Sequence, residues 1–239
     1  MEVIKTIHPD DHMWITSADN YFAVGESGLM CVRRANDFTF SSPVRRILDL
    51  PCGHGRVARY LRAWCPDASM SFCDIDRSGV DFCCRTFGGT AIYSQPELTE
   101  MDIGTDYDVI WVGSLFTHVE RDRTERWLRY LCSRLSERGV MAATFHGPAS
   151  VEILDRYKLW GLTDEQRRHI MDSYNACGYG YEPYLNFGAD YGISVVRPSE
   201  IVKIAETIAG RILFYSERLW ADNHDVLAIC RKDRLATWA

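Results

Sequence analysis

Short apolar runs alternate with longer segments of helical periodicity along most of the chain from residue 44 onward. The apolar runs predict strands over 44–50, 69–74, 90–94, 107–113 and 139–146. The segments between them, in which apolar residues recur every three or four positions, predict helices over 56–65, 78–87 and 121–137. This alternation is typical of βαβ units and predicts an α/β fold built on a parallel sheet.

Residues 148–192 interrupt the alternation and predict an insertion that caps the sheet. Two segments, 151–160 and 164–177, have helical periodicity, and an aromatic, glycine-rich stretch that we interpret as a loop follows them. The regular pattern then returns and predicts three further elements: a helix over 198–209 and strands over 211–217 and 225–231.

Composition and charge narrow the classes of protein that fit this pattern. The chain has 239 residues, with 27 Lys and Arg against 33 Asp and Glu, and so a net charge of −6. This acidic balance argues against a nucleic-acid partner, because binding to phosphates needs a basic surface. Nine cysteines are scattered without a CxxC pair, which fits neither a disulfide framework nor a zinc knuckle.

The same survey bears on localisation. No stretch approaches about 18 consecutive apolar residues, so no membrane span is expected. The first residues lack a basic segment followed by an apolar run, so no signal peptide is expected. Free thiols in apolar runs behave as small hydrophobic groups, and together these features predict a cytoplasmic protein.

The most informative segment joins the first predicted strand to the first predicted helix. It reads Arg46-Ile-Leu-Asp-Leu-Pro-Cys-Gly-His-Gly-Arg-Val-Ala and contains the spacing Gly53-x-Gly55-x-x-Ala58. Glycines at this spacing let a turn approach a ligand closely, and Asp74, after the next strand, can accept hydrogen bonds from ribose hydroxyls. The pattern predicts a ligand that contains a nucleoside.

Asp49 discriminates between such ligands. It ends the first predicted strand, four residues before Gly53. A carboxylate there would repel a pyrophosphate, which binds the bare N–H groups of a helix N-terminus. It would instead attract a ligand that carries ammonium and sulfonium charges.

The segment resembles the first motif of the class I S-adenosylmethionine-dependent methyltransferases. That motif typically reads Leu-Asp-Leu-Gly-Cys-Gly-x-Gly, and this chain has Leu48-Asp-Leu-Pro-Cys-Gly-His-Gly55, with Pro51 in place of the first glycine. Three more segments follow in the family's order: Ser71-Phe-Cys-Asp-Ile-Asp-Arg-Ser, Tyr107-Asp-Val-Ile-Trp-Val-Gly-Ser-Leu-Phe-Thr-His and Leu135-Ser-Glu-Arg-Gly-Val-Met-Ala-Ala-Thr. The resemblance covers residues 44–146 well and the terminal helix and strands loosely.

The resemblance implies an α/β, Rossmann-like fold whose seven-stranded, mostly parallel sheet has helices on both faces. It implies one domain with four parts: a helical lead-in or lid at 1–42, a cofactor-binding core at 43–147, a helix and loop cap between strands five and six at 148–192, and a C-terminal helix and strand pair at 193–239. The implied cofactor is S-adenosyl-L-methionine. The residues expected to bind it are Asp49, Pro51, Cys52, Gly53, Gly55, Asp74, Ile75, Ser94, Gly113 and Ser114.

Four histidines are expected at the edge of the sheet where ligands bind: His54 after the first strand, and three that are candidates for catalysis. His118 follows the fourth strand, His146 ends the fifth, and His224 begins the last strand, which runs antiparallel in the family's fold. Transfer of a methyl group to a hydroxyl requires removal of a proton, and the unperturbed pKa of histidine lies near neutrality. We therefore expect a base or acceptor-orienting residue among them, with His118 ranked first, His146 second and His224 third. Each also fits a loop histidine that only bonds the backbone.

The aromatic residues of the cap predict the acceptor pocket, since such side chains stack on sugar faces and flat rings. The residues proposed for it are Tyr179, Tyr181, Tyr184, Phe187 and Tyr191 of the cap, together with Tyr21 of the lead-in. The expected acceptor is a small molecule or a glycan, methylated at a hydroxyl oxygen, with no nucleic-acid or membrane partner. No metal is expected, because the clustered carboxylates that Mg²⁺ prefers are not evident.

Two alternatives stay open at this stage. Pro51 in the glycine turn leaves room for a protein that binds S-adenosylmethionine without catalysis, since proline fixes φ and removes an N–H donor. The spacing Gly53-x-Gly55-x-x-Ala58 also fits an NAD-dependent oxidoreductase, although Asp49 and the later motifs disfavour that reading.

Overall fold

Nine strands are found in this computed structural model, which describes residues 2–39, 43–157, 160–185, 191–208 and 210–231. They are β1 (Arg46–Asp49), β2 (Ser69–Asp74), β3 (Thr90–Tyr93), β4 (Tyr107–Val112), β5 (Leu135–Phe145), β6 (Tyr179–Pro183), β7 (Gly192–Val196), β8 (Gly210–Trp220) and β9 (His224–Arg231). Seven of them form one sheet in the order β3-β2-β1-β4-β5-β9-β8. β1 to β5 pair in parallel, and β9 is antiparallel to both β5 and β8.

Helices connect the strands and cover the sheet. They are α1 (His12–Asp37), α2 (Ala58–Trp64), α3 (Arg77–Phe87), α4 (Arg121–Ser133), α5 (Pro148–Tyr157), α6 (Asp164–Cys177) and α7 (Pro198–Thr207). The predicted α/β fold with a seven-stranded, mostly parallel sheet is confirmed. In the described part of the chain, no helix is long and apolar enough to cross a membrane.

Two hydrophobic cores lie on opposite faces of the sheet, because its central strands are buried on both sides. Successive side chains of a strand point to opposite faces. Leu48 therefore packs in one core with its β4 neighbour Ile110, and Ile47 packs in the other core with Val109. Burial on both faces explains why these strands are continuous apolar runs in the sequence.

The structure corrects the predicted end of α4. The helix ends at Ser133, whereas helical periodicity predicted that it would continue to residue 137. Leu135 instead begins β5, where it pairs with Tyr107 and is buried. The register shifts between Tyr107 and Val109, so β5 starts irregularly. In the sequence, Leu135 lies at helical spacing from the apolar residues of α4, but in the structure its side chain enters the core from a strand.

The loop predicted after α6 is also corrected. β6 and β7 form an antiparallel hairpin with Tyr179 opposite Val196, and together with α5 and α6 this hairpin lies between β5 and α7. β7 begins at Gly192, where the predicted cap ended. The division of the domain into four parts stays a prediction.

The N-terminal segment before α1 has no regular secondary structure over residues 2–11. Asp11 caps α1, because its carboxylate accepts from the backbone N–H groups of Met13 and Trp14. The helix is interrupted at Ser17, where φ is −154° and ψ is 46°.

Candidate active site

A cavity of about 700 Å³ opens at the carboxyl ends of the central strands, as expected for an open parallel sheet. Its floor consists of the turn after β1, and its walls come from the segments that follow β2, β3 and β4. The N-terminal segment contributes Asp11, His12 and Met13, while Tyr191 and Trp220 enter from the second half of the chain.

The turn after β1 is held by neighbouring strands. The backbone N–H of Leu50 donates to the Trp111 carbonyl of β4, and that of Cys52 donates to the Cys73 carbonyl of β2, both at 3.0 Å. The Leu50–Pro51 peptide bond is cis. Neighbouring backbone on both sides thus fixes the position of the turn.

The two glycines of this turn have different surroundings. Both have positive φ, +48° at Gly53 and +79° at Gly55, where other residues are strained. A Cβ on Gly53 would meet nothing within 4 Å, whereas a Cβ on Gly55 would lie 2.3 Å from the ring of Phe87. Gly53 therefore leaves open space beside the cavity, and Gly55 serves close packing of the turn against α3.

Asp74 ends β2 and is bound to the glycine turn. Its Oδ2 accepts from the backbone N–H of Gly53 at 2.7 Å, and its Oδ1 accepts from that of Asp76 at 2.9 Å. Burial raises the pKa of the Asp74 carboxyl, and these N–H donors lower it in part. The carboxylate lines the cavity next to Gly53, in a position suited to ribose hydroxyls.

Asp49 is an orphaned carboxylate in the wall of the cavity. Its residue is 1% exposed, and neither of its oxygens has a hydrogen-bond partner among the described residues. Burial, and to a lesser extent the nearby charge of Asp74, raises its pKa well above the usual value. A buried carboxyl without partners destabilises a fold, so this side chain fits a ligand that brings a positive group to it.

Arg56 is a cation in the same wall that sequence reasoning missed. Its guanidinium lies 5.5 Å from the ring centroid of Trp220 and makes no ion pair with any described residue. Burial lowers its pKa, and the charge of Asp11 opposes that change. The sequence feature that could have indicated Arg56 is its position immediately after Gly55, at the start of the predicted helix. Asp49 and Arg56 give the cavity one acidic group without a hydrogen-bond partner and one basic group without an ion pair among the described residues.

His118 faces the cavity from the segment after β4. Its Nδ1 lies 2.8 Å from the carbonyl oxygen of Gly192, which can only accept, so Nδ1 carries the proton and Nε2 keeps a lone pair. Burial lowers the pKa of His118, which keeps the ring neutral at pH 7. The ring stacks on Tyr191 with centroids 4.6 Å apart.

His146 and His224 lie behind this wall and do not line the cavity as described. Their ring centroids are 4.8 Å apart, and the Nδ1 of His146 donates to the Ser194 carbonyl at 3.1 Å. Burial lowers the pKa of His146 well below its usual value and that of His224 to about 3. Of the three predicted histidines, only His118 is placed where it can meet a ligand directly. Roles for the other two stay predictions.

Of the tyrosines predicted to form the acceptor pocket, some lie at the cavity and others do not. Tyr191 lines the cavity and is 43% exposed, and Tyr184 stands next to it with ring centroids 5.5 Å apart. Tyr179 and Tyr181 of β6 do not line the cavity, and Tyr179 is buried in the core. Tyr21 belongs to α1 and is fully buried, and its hydroxyl donates to Asp11 at 2.6 Å. Phe187 lies outside the described residues.

Nine of the ten residues predicted to bind the cofactor line this one cavity. They are Asp49, Pro51, Cys52, Gly53, Asp74, Ile75, Ser94, Gly113 and Ser114. Gly55 is the exception, because it packs against Phe87. The described residues contain no cluster of three metal-ligating side chains.

Comparison with known proteins agrees with this geometry. A family model described as a methyltransferase domain matches residues 48–141. Among solved structures, an S-adenosylmethionine-dependent methyltransferase from Clostridium acetobutylicum ATCC 824 is similar over 92% of this chain and 96% of that chain, with a TM-score of 0.61 and 13% identity. A search of curated proteins finds no match.

Two further structures share the fold. One is magnesium protoporphyrin IX methyltransferase (ChlM) from Synechocystis PCC 6803 with bound SAH, similar over 90% of this chain and 88% of that chain, with a TM-score of 0.57 and 13% identity. The other is a TehB-like SAM-dependent methyltransferase from Corynebacterium glutamicum ATCC 13032, similar over 87% of this chain and 88% of that chain, with a TM-score of 0.53 and 16% identity. The resemblance found in the sequence is confirmed, and S-adenosylmethionine is the cofactor that the family supports.

Proposed function

We propose that this protein, whose residues 48–141 match a methyltransferase domain, uses S-adenosylmethionine to methylate a hydroxyl oxygen of a small molecule with His118 as the general base. The observation that carries the proposal is the arrangement of one cavity. The carboxylate of Asp74, the unpartnered carboxyl of Asp49 and the neutral ring of His118 all line it.

The residues present fit the cofactor. Asp49 would hold its ammonium group, because both carboxylate oxygens lack partners. Arg56 would hold its carboxylate, since the guanidinium has no ion pair within the described chain. Asp74 would accept from the ribose hydroxyls, and the open space at Gly53 lets the backbone approach the ligand. When bound, S-adenosylmethionine supplies an electrophilic methyl group on a positively charged sulfur.

His118 would remove the proton from the acceptor. Its Nδ1–H is already committed to the Gly192 carbonyl, so the lone pair on Nε2 is available to an acceptor hydroxyl. Because its pKa is lowered, no proton has to leave the ring before the reaction at neutral pH. Tyr191, stacked on the imidazole, restricts its rotation and adds a flat surface for the acceptor.

The cavity supports a small acceptor. Its volume of about 700 Å³ lies within the usual range of roughly 300–1,000 Å³ for ligand sites, and the cofactor must share it. Apolar walls from Leu115, Val119 and Trp127 together with Tyr191 favour an acceptor with a flat or apolar body. The acidic net charge disfavours nucleic acid as the acceptor.

The first experiment is calorimetric titration of the purified protein with S-adenosylhomocysteine, with NAD in parallel. We expect micromolar binding of S-adenosylhomocysteine, no binding of NAD, and at least tenfold weaker binding of S-adenosylhomocysteine to Asp74→Ala. Asp172→Asn, an exposed position on α6, is the matched control and should bind normally. Binding of NAD instead, or no loss in Asp74→Ala, would reject this assignment of the cavity.

The second experiment identifies the acceptor class. Purified protein is incubated with methyl-labelled S-adenosylmethionine and separate panels of phenols, sugars, amines and carboxylic acids, and labelled products are counted. Labelling of phenols or sugars that is lost in His118→Gln supports a hydroxyl acceptor with His118 as base. Labelling confined to amines or carboxylic acids contradicts the hydroxyl part of the proposal, and labelling unaffected in His118→Gln contradicts the role of the base.

A further inference from the structure

His118, the proposed base, has a neutral hydrogen-bond partner. Its Nδ1 donates to the carbonyl of Gly192 at 2.8 Å, and no described carboxylate forms an ion pair with its ring. Burial lowers its pKa and the Gly192 carbonyl raises it in part, with no contribution from a charged group. In a Ser-His-Asp triad, by contrast, a buried carboxylate stabilises the imidazolium that forms when the histidine takes a proton. His118 is therefore a weak base in a site that does not stabilise its charged form.

A weak base restricts the hydroxyls that can react, because general-base assistance depends on the acidity of the proton that is removed. A phenol such as the tyrosine side chain has a pKa of about 10. Water, whose acidity an aliphatic alcohol resembles, has a pKa of about 15.7. Since each pKa unit is a factor of ten, an aliphatic hydroxyl is a weaker acid than a phenol by roughly 10⁵-fold.

The aromatic wall of the cavity offers few hydrogen-bonding groups to an acceptor. The indole N–H of Trp127 donates to Glu97 at 2.5 Å, and that of Trp220 donates to the Val24 carbonyl at 3.0 Å. Both indoles line the cavity, as does the apolar side chain of Leu115. A sugar would bury several hydroxyls against these groups without partners, and such burial is costly. The wall therefore disfavours a sugar and favours an apolar acceptor.

Tyr191 gives an acceptor ring a surface for stacking beside the base. Its ring lines the cavity, is exposed, and stacks on His118 with centroids 4.6 Å apart. Tyr184 lies next to it, with ring centroids 5.5 Å apart. Aromatic rings attract one another in stacked and edge-to-face arrangements, so a flat ring is favoured at this position. A hydroxyl attached directly to such a ring lies in the plane of the ring, next to the imidazole.

We propose that the acceptor is a phenol, with the reacting hydroxyl attached directly to an aromatic ring, and not a sugar or an aliphatic alcohol. The inference rests on the proposed function, because it assumes that His118 removes the proton of a hydroxyl. The phenolic oxygen forms the bond to the methyl carbon, and the bond between that carbon and sulfur breaks with its electron pair on sulfur. The proton moves from the oxygen to Nε2 of His118 and then to water.

Pairs of isomers isolate the type of hydroxyl. 4-Methylphenol and benzyl alcohol have the same atoms and one aromatic ring, and 6-methyl-2-naphthol and 2-naphthalenemethanol form the corresponding pair with two fused rings. Each compound, and methyl glucoside as the sugar, is incubated with the protein and methyl-labelled S-adenosylmethionine. We expect kcat/KM for the phenol to exceed that for its isomer by at least 100-fold in one or both pairs, and no labelling of methyl glucoside.

The dependence of the rate on His118 tests the chemical reason for this preference. At pH 8, 4-nitrophenol is largely ionised, whereas 4-methylphenol keeps its proton. We therefore expect His118→Gln to lower kcat at least 100-fold with 4-methylphenol and less than tenfold with 4-nitrophenol. Equal losses with the two phenols would contradict the role of acidity on which the proposal depends.

Variants of Tyr191 test the stacking surface. Tyr191→Leu should raise KM for the phenol at least fivefold without changing the affinity for S-adenosylhomocysteine, and Tyr191→Phe, which keeps the ring, should recover most of that loss. Leu185→Ala is the control, because Leu185 is exposed on the same segment and does not line the cavity. A KM for the phenol that is unchanged in Tyr191→Leu would count against the placement of the ring.

The failure of this inference and that of the proposed function give different results. Labelling of methyl glucoside or of a benzylic alcohol within tenfold of its phenol isomer, if lost in His118→Gln, would overturn the phenol and leave hydroxyl methylation in place. A panel in which neither 4-methylphenol nor 6-methyl-2-naphthol is labelled would also overturn the phenol. Labelling confined to amines or carboxylic acids would reject the proposed function itself.

Discussion

The imidazole of His118 donates its Nδ1 proton to the carbonyl oxygen of Gly192, 2.8 Å away and 74 residues later in the chain. The backbone N–H of Gly192 in turn donates to the carbonyl of His118 at 3.0 Å. β7 makes the same pair of contacts with His146. The Ser194 carbonyl accepts from the Nδ1 of His146, and the N–H of Val196 donates to the His146 carbonyl. The hairpin of β6 and β7 therefore fixes the tautomer of the proposed base.

This contact leads to a prediction for His118→Gln. Glutamine keeps a donor for the Gly192 carbonyl but has no basic nitrogen, so we expect kcat to fall by about 10²–10⁴ while S-adenosylhomocysteine binding is unchanged. Because burial lowers the pKa of His118, wild-type kcat should rise with pH through a pKa below 6.5 and be level at pH 7. A pH–rate profile with the acceptor found by the panel, and NMR titration of the His118 ring, test both statements.

The control is His169→Gln. His169 is exposed on α6 and pairs with Glu182, away from the cavity lining. Its kcat and pH profile should equal those of the wild type. A His118→Gln enzyme that retains kcat within tenfold, with the acidic limb intact, would show that His118 is not the base and that catalysis depends on proximity.

Asp49→Asn should change stability and ligand binding in opposite directions. The folded-state pKa of Asp49 is raised, so the folded chain binds more protons than the unfolded chain above about pH 4, and stability is lost as pH rises. Asparagine does not titrate, so the variant does not lose this part of its stability as pH rises. Urea unfolding at pH 5 and pH 8 should therefore show a smaller decrease for the variant than for the wild type.

The same substitution removes the charge that faces the ammonium group of the ligand. A charged hydrogen bond contributes about 1.5–3 kcal/mol, so S-adenosylhomocysteine should bind roughly tenfold to a hundredfold more weakly. Calorimetry measures this, with Asp172→Asn as the control. If Asp49→Asn bound the ligand as the wild type does, Asp49 would not be the ammonium partner.

Much of the fold and of the cavity around the glycine turn could be predicted because their signals are local. Buried parallel strands are continuous apolar runs, and the glycine turn has a fixed spacing that predicts Gly53 and Asp74 at one site, where the structure shows a hydrogen bond between them. The predicted end of α4 was wrong because a single apolar residue at helical spacing, here Leu135, fits either a helix or a strand. The hairpin was missed because glycine and aromatic residues in a short stretch also fit a loop.

The parts that could not be predicted depend on contacts between distant segments. The orientation of His118 comes from Gly192, and no local pattern in either segment indicates that pairing. Tyr21 was expected to meet the acceptor as an aromatic of the lead-in, but Arg59 and Asp11 hold it in the interior. Arg56 was not singled out because one arginine at the start of a predicted helix can have many roles, and its place in the cavity without an ion pair is evident only from the structure.

The two glycines of the turn should respond differently to alanine. Gly53→Ala adds a methyl group at positive φ in open space, so the cost to the free energy of unfolding is about 1–2 kcal/mol. The methyl group enters the ligand's space, so S-adenosylhomocysteine binding should weaken at least tenfold. Gly55→Ala adds a clash with Phe87, and overpacking typically costs a further 1–3 kcal/mol, roughly.

Urea unfolding and calorimetry on both variants separate these effects. Gly55→Ala should lose more stability than Gly53→Ala, and ligand affinity should fall in Gly53→Ala at a temperature where that variant is fully folded. Equal ligand affinity in Gly53→Ala and the wild type would mean that the ligand does not approach this part of the turn.

His224 should make the fold sensitive to acid. Its ring lies among Trp220, Thr144 and His146. Burial is the main cause that lowers its pKa to about 3, with smaller contributions from His118 once that ring is protonated and from the charge of Arg56. In the unfolded chain the pKa is about 6.5, so the unfolded state binds an additional proton between pH 6.5 and pH 3. Stability is therefore present above pH 6.5 and falls as pH decreases, by about 1.4 kcal/mol per pH unit for one histidine.

Buried carboxyls such as Asp225, whose pKa is raised, change stability with pH in the opposite direction. Comparison of the wild type with His224→Asn isolates the contribution of His224, because both proteins keep those carboxyls. The difference between wild type and His224→Asn in free energy of unfolding should decrease by about 2 kcal/mol from pH 6.5 to pH 5. His169→Asn, at an exposed site, serves as the comparison. If the two variants showed the same pH dependence of the free energy of unfolding, His224 would not be held neutral in the folded state.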